Sequence, residues 1–176
     1  EISRIVTKGL NPDAPLKDSG IEWIGEIPSH WNIKRLRYLG DTQNGLSKDG
    51  SYFGEGYPFI TYGDVYKNII IPKVASGLAK STKDDQKIYS IERGDVFFTR
   101  TSETIEEIGF CATCLETLPQ ATFSGFLIRF RPNSKELLPE FEAYYFRANL
   151  HRRYFVKEMN SVTRASLSQV LLKNLP

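Results

Sequence analysis

Apolar and polar residues alternate in short bursts between Pro58 and Phe130, and the period lengthens after Pro139. The cleanest alternation sets Phe126, Ile128 and Phe130 against Leu127 and Arg129, the pattern of a half-buried strand ending the run 122–130. Residues 58–62, 68–72, 94–100 and 108–114 are further strand candidates, and Pro72 closes its run because it has no N–H to donate. From Pro139 onward, Phe141, Tyr144, Tyr145, Ala148, His151, Arg152, Phe155 and Met159 recur at spacings of three and four. That predicts one amphipathic helix to about Glu158, opened by Pro139 and carrying Arg147, Arg153 and Lys157 on its polar face.

The remaining segments are punctuated by glycine and proline. Residues 1–18 contain Pro12 and Pro15 and read as a polar, flexible or extended lead-in. Between Ile21 and Leu39 lies an aromatic-anchored segment in which Pro28 breaks any single helix; 32–39 reads best as a strand, followed by a turn at Gly40-Asp41. Five glycines within 40–58 give that stretch loop and turn composition. Residues 161–176 suggest a loop, a helical turn around 166–172 and an exit strand. The fold class expected is α+β: a curved, barrel-like, mostly antiparallel sheet with flanking helices, forming one domain over 19–176.

Composition sets limits. At 176 residues, 40% hydrophobic and 25% charged, the chain is an ordinary globular domain with one core, rich in Tyr and Phe. No apolar run nears the roughly 20 residues needed to span a bilayer, and there is no signal-peptide core, so the cytoplasm is the expected compartment. The chain opens on Glu1 and stops at Leu175-Pro176, and is read as part of a larger subunit. Net charge is only +2, but residues 129–157 hold seven bases (Arg129, Arg131, Lys135, Arg147, Arg152, Arg153, Lys157) against three acids. Lys34, Arg35 and Arg37 form a second cluster. A local positive surface on a near-neutral protein suits a polyanion; a solvated helix face is the alternative.

Catalytic patterns are missing. His30 follows Pro28 in a turn and His151 lies on the amphipathic helix; neither sits in a triad signature. There is no His-x-x-x-His or Asp-x-Asp pattern, and Asp84-Asp85 are adjacent rather than convergent. Gly54-Glu-Gly56 lacks the further glycine or Lys-Ser/Thr of a phosphate loop. Cys111 and Cys114 have no second pair to complete a zinc site, and on a strand they point to opposite faces, as packing residues. Residues alone leave three classes open: a DNA-binding module, a protein-interaction or scaffold domain, and a fragment of a DNA-modifying enzyme such as a nuclease or fused methyltransferase.

Motifs in order narrow this. Ser19-Gly-Ile-Glu-Trp-Ile-Gly-Glu-Ile-Pro-Ser-His-Trp31 with Lys34-Arg-Leu-Arg-Tyr-Leu39 resembles the opening signature of type I restriction-modification specificity subunits. Gly56-Tyr-Pro-Phe-Ile60 with Gly63-Asp64, Arg93-Gly-Asp-Val-Phe-Phe-Thr-Arg100 and Phe123-Ser-Gly-Phe-Leu-Ile-Arg-Phe-Arg-Pro132 resemble its core strands. Tyr144-Tyr-Phe-Arg147 and Ser161-Val-Thr-Arg-Ala-Ser-Leu167 resemble its closing helix and the loop after it. The chain departs from the pattern at Thr101-Ser-Glu-Thr-Ile-Glu-Glu107, which is acidic and lacks the usual glycine, and the family's long spacer helix is not present.

The resemblance implies a single target-recognition domain, the N-terminal one of two, reading half of a bipartite double-stranded DNA site and doing no chemistry. Methyltransferase subunits using S-adenosylmethionine and restriction or translocase subunits using ATP and Mg are its implied partners, with no cofactor or metal in this chain. On that basis Lys34, Arg35, Lys48, Arg152 and Arg153 are expected to touch phosphates. Asn44, Ser47, Tyr62, Arg100, Ser102, Thr163 and Arg164 are expected to read base edges.

Overall fold

A computed structural model describes residues 2–102, 107–133, 136–159 and 166–176. In chain order it contains helix α1 (Ile2–Lys8), strands β1 (Leu16–Asp18), β2 (Glu26–Pro28), β3 (Gly40–Asn44) and β4 (Phe53–Ile60), and helix α2 (Tyr62–Tyr66). Strand β5 (Gly77–Ala79), helix α3 (Lys83–Ile88) and strands β6 (Val96–Thr99), β7 (Cys111–Thr113), β8 (Thr122–Phe123) and β9 (Leu127–Pro132) follow. Helices α4 (Pro139–Tyr145), α5 (Asn149–Met159) and α6 (Gln169–Lys173) complete it.

The α+β expectation holds. The strands divide into a two-stranded sheet β1-β2, an antiparallel four-stranded sheet β3-β9-β6-β7, and a three-stranded sheet β5-β4-β8 whose β4–β8 pair is parallel. They do not close into a barrel among the described residues. Strand period explains the layering. Val96, Phe98, Cys111, Ile128 and Phe130 point to one face of the four-stranded sheet, where Phe146, Phe155 and Leu172 of the C-terminal helical region cover them. Phe97, Ala112, Cys114 and Leu127 point to the other face and meet Ile60, Val65 and Phe123. Cys111 and Cys114 thus pack in different cores, both as free thiols, and burial pushes the Cys114 thiol up to about 12.

Several elements depart from the sequence reading for identifiable reasons. The lead-in is not extended: α1 forms, and β1 pairs with β2 in register Lys17↔Ile27. Residues 32–39 form no strand; a 3-10 turn at Leu36–Tyr38 follows Arg35, and the strand begins at Gly40 instead. Gly40 is required there, because a Cβ would overlap the Arg131 carbonyl of the neighbouring strand. Residues 68–72 reach the edge of β7 through only two backbone bonds, Ile71 N to Thr113 O and Thr113 N to Ile69 O, while Ile69 and Ile70 stay exposed. The expected exit strand after Leu172 does not form. The long helix after Pro139 is two helices. At their junction Arg147 donates to the carbonyls of Cys111 and Tyr66, both at 3.0 Å, with its guanidinium 4.5 Å from the Phe110 ring centroid.

Three arginines of the basic window therefore serve the scaffold, which corrects the inference of one broad positive surface. Arg129, only 8% exposed, donates to Ser90 O and Gln43 Oε1, each at 2.5 Å, above the Phe123 ring. Arg131 grips the buried Asp95 with two bonds, Nε to Oδ1 at 2.6 Å and Nη2 to Oδ2 at 2.7 Å. Arg147 is the third. A guanidinium satisfied in this way stabilises the fold but offers little to an outside anion.

Two ionisable groups are buried on the helical side. Desolvation raises the Glu142 carboxyl to about 7, helped by repulsion from Asp95 and Glu140, and neither of its oxygens has a hydrogen-bond partner among the described residues. Burial lowers the His151 imidazole, wedged among Trp23, Tyr145 and Phe146, to about 3. Their effects on stability have opposite signs. Folded Glu142 keeps a proton that the unfolded chain releases above its ordinary 4.5, so its contribution declines as pH rises from there to about 7. Folded His151 refuses a proton that the unfolded chain accepts below 6.5, so its contribution declines as pH falls from there toward 3. Replacing Glu142→Gln removes the first slope alone. Urea unfolding should show the variant gaining on the wild type by up to about 3 kcal/mol between pH 4.5 and 7. A pH-independent difference between the two would refute this origin.

Candidate nucleic-acid interface

Strand polarity gathers three loops at one end of the four-stranded sheet. Strand β3 leaves it at Asn44, β6 leaves it at Thr99, and β9 enters it at Leu127, with Asn44 opposite Ile128 and Thr99 opposite Leu127. Residues 45–48, 100–102 and 124–126 therefore emerge side by side. Backbone bonds lace them together: Leu46 N to Phe123 O at 2.8 Å, Gly125 N to Leu46 O at 2.8 Å and Arg100 N to Phe126 O at 2.9 Å. A fourth segment joins through Leu167 N to Arg100 O at 2.7 Å and a bridge between Thr101 and Ser166. The lacing needs glycine: a Cβ on Gly45 would overlap the carbonyl oxygens of Phe123 and Ser124.

Between these loops lies an open cleft of about 490 Å³. Its apolar lining comes from Leu46, Phe53, Phe59 and Phe126, and its polar lining from Ser47, Lys48, Arg100, Thr101, Ser124 and Ser166. Among the described residues no carboxylate lines it. Arg100 makes one long bond, from Nη1 to Gly125 O at 3.5 Å, and no ion pair among the described residues. The Lys48 ammonium stands 5.6 Å from the Tyr52 ring centroid. Two cations lining this cleft make it attractive to an anion or to the acceptor atoms of a base.

The sequence-expected residues fall into separate groups. Ser47, Lys48 and Arg100 meet at the cleft. Asn44 ends β3 just before it, its buried Oδ1 without a hydrogen-bond partner among the described residues. Tyr62 and Ser102 flank it: the Tyr62 hydroxyl faces Thr99 and Ser102, burial raises its phenol, and its ring stacks on Tyr66 at 5.8 Å. Glu107 of the acidic segment accepts from the Tyr66 hydroxyl at 2.7 Å and from Ser102 Oγ at 3.4 Å, which ties Ser102 to α2. Lys34 and Arg35 are not brought to the cleft. They precede the start of β3, five residues long, at the opposite end of the sheet, and Lys34 is paired with Glu136 at 2.6 Å. Arg153 is exposed on α5; the Arg152 side chain, Thr163 and Arg164 lie outside the described residues. Sequence reasoning missed Phe126, which it assigned to the inward face of β9. The strand begins one residue later, and Phe126 sits in a turn, 63% exposed, with its N–H bonded to Ser124 Oγ. The signal was present in Ser124-Gly125, a turn dipeptide immediately before it.

Comparison with known proteins follows the same lines. The pattern of the type I restriction modification DNA specificity domain matches residues 28–176, and the chain belongs to that family. Three solved structures are similar in fold. One, from work on complex assembly and conformational transition of the type I restriction-modification system, superposes with a TM-score of 0.60 at 18% identity over 99% of this chain and 38% of its own. The HsdS subunit from Thermoanaerobacter tengcongensis gives 0.57 at 17% identity, over 91% of this chain and 34% of its own. The type I S subunit from M. genitalium gives 0.52 at 13% identity, over 81% and 32%. This chain therefore spans about a third of the length of the proteins it resembles. No curated protein matches the sequence.

The lacing of the loops can be tested directly. Gly45→Ala should lower stability by about 1–3 kcal/mol, the usual cost of forcing an extra methyl into a packed site. Gly50→Ala, where a Cβ meets nothing within 4 Å, should be close to neutral. Equal melting temperatures for the two variants would show that the close approach at Gly45 does not hold the cleft.

Proposed function

We propose that this chain is a DNA-reading domain of a type I restriction-modification specificity subunit and itself catalyses nothing. The observation that carries this reading is the cleft that holds Ser47, Lys48 and Arg100 at the end of a braced sheet, in a chain of that family. Lys48 neutralises a phosphate beside the cleft; Arg100 and Ser47 donate to base edges, with Asn44, Tyr62 and Ser102 in reserve around them. Lys34 and Arg35, at the far end of β3, engage a different stretch of backbone, and Arg152, Arg153, Thr163 and Arg164 extend the contact from the C-terminal side. The domain reads one half of a bipartite site in double-stranded DNA. Methylation with S-adenosylmethionine, and translocation and cleavage with ATP and Mg, belong to methyltransferase and restriction subunits assembled around it in the cytoplasm. In keeping with that compartment, no helix among the described residues is long and apolar enough to cross a membrane.

Exchange of residues 19–176 for another reader of the family, inside the complete assembly, should change one half of the methylated sequence and leave the other half intact. An unchanged methylation pattern would refute the proposal. At the level of single residues, Arg100→Gln should relax discrimination at one base by about 1–3 kcal/mol. Lys48→Gln should weaken all sequences alike and reduce the salt slope of binding by about 1.

A further inference from the structure

Phe126 is the large apolar side chain of the cleft that the fold does not use. Ile128 and Phe130, two and four residues on, are fully buried, whereas Phe126 is 63% exposed. It is nevertheless held in place from both sides. Its N–H donates to Ser124 Oγ at 3.2 Å, and its carbonyl accepts from Arg100 N at 2.9 Å. The preceding residue, Gly125, is clamped by its bond to Leu46 O, and a Cβ there would press on Leu46 O at 3.1 Å and on Ser47 Cβ at 3.2 Å. An exposed phenyl on a backbone this constrained is presented to a ligand with little ordering left to do on binding.

The nearest cation defines what that ligand carries. The Arg100 guanidinium reaches Gly125 O at 3.5 Å, so it stands beside the peptide that joins Gly125 to Phe126. Consecutive bases along one strand of duplex DNA are about 3.4 Å apart. Arg100 and Phe126 are joined by the backbone bond from Arg100 N to Phe126 O and line the same cleft, a placement suited to neighbouring base pairs. In the major groove guanine offers N7 and O6 as paired acceptors that suit a guanidinium, and thymine alone offers a methyl group that suits an apolar side chain. Among the described residues no carboxylate lines the cleft to compete for Arg100 or to bond the exocyclic amine of cytosine.

Resting on the DNA-reading function proposed above, we infer that Arg100 and Phe126 act as one unit that recognises a guanine with a thymine at the adjoining base pair. Arg100 donates to guanine N7 and O6, and Phe126 packs against the thymine C5 methyl. Phe126 is then a specificity-determining residue that reads a methyl group.

Selection from random duplexes by the full specificity subunit in its assembled complex, followed by sequencing of the bound DNA, tests this. The wild type should enrich a half-site containing guanine next to thymine. Deoxyuridine in place of that thymine removes only the methyl and should weaken wild-type binding about fourfold, the worth of burying one such group. Phe126→Ala should bind thymine and deoxyuridine duplexes equally, with an unchanged melting temperature, while Phe126→Leu keeps part of the difference. Arg100→Gln should lose the guanine and keep the thymine preference. A half-site with no thymine beside its guanine overturns the inference. So does a Phe126→Ala variant that retains the full deoxyuridine penalty, or one that loses its partner subunits while its base preference is intact. Absence of any enriched sequence would instead remove the DNA-reading function itself.

Discussion

The backbone ladder along β9 is the constraint on which the remaining architecture depends. Its residues pair with β3 on one side and β6 on the other, and its alternate side chains enter two different cores. A slip of one residue would turn Ile128 and Phe130 toward the other layer and drive Arg129 into the apolar core under the helices, so the register is strongly determined. Arg129 reinforces it from within. Its guanidinium ties Gln43 on the neighbouring strand to the Ser90 carbonyl beyond β6, satisfying buried polar groups that a hydrocarbon in its place would strand. Once this ladder is in register, the places where β3, β6 and β9 meet solvent coincide, and the cleft is a consequence.

How much of this could be read from the chain depended on where local pattern and tertiary demand agreed. The strands within 94–100 and 108–114 were visible because both faces of their sheet are buried and their residues are β-branched, aromatic or small, whereas the run 122–130, expected as one strand, is broken by a turn at Gly125-Phe126 into β8 and β9 of two different sheets. The alternation that separates Cys111 from Cys114 was visible for the same reason. The break between α4 and α5 was not, because the apolar spacing continues across it; what interrupts the helix is Arg147, held by carbonyls from two distant segments. Asn68 to Pro72 looked like a strand because three isoleucines in a row satisfy a propensity, yet only Ile71 finds a core to enter. The lead-in looked unstructured because its order derives from packing on residues far along the chain.

The candidate site was legible by the same measure. Ser47, Lys48 and Arg100 came together because each follows a strand, and the strands end together. Counting charge was less informative. Arginine is as useful for stitching backbone carbonyls and buried carboxylates inside a protein as for meeting phosphates outside it, and a sequence does not distinguish the two uses. Arg131 with Asp95 is the plainest instance: two residues that looked like a surface cation and a turn acid form a buried bidentate pair.

The glycine-dependent lacing of the loops at Gly45 and Gly125 has an implication for how such a domain can diversify. The loops are joined to one another by main-chain atoms and by residues facing inward, while the side chains at 47, 100 and 126 take little part in holding them. Replacements at outward-facing positions of this kind ordinarily shift stability by no more than about 0.5 kcal/mol. Heritable change can therefore accumulate in the vocabulary of the domain without eroding its grammar, and a lineage can acquire a new target in single steps, each passing through a folded intermediate.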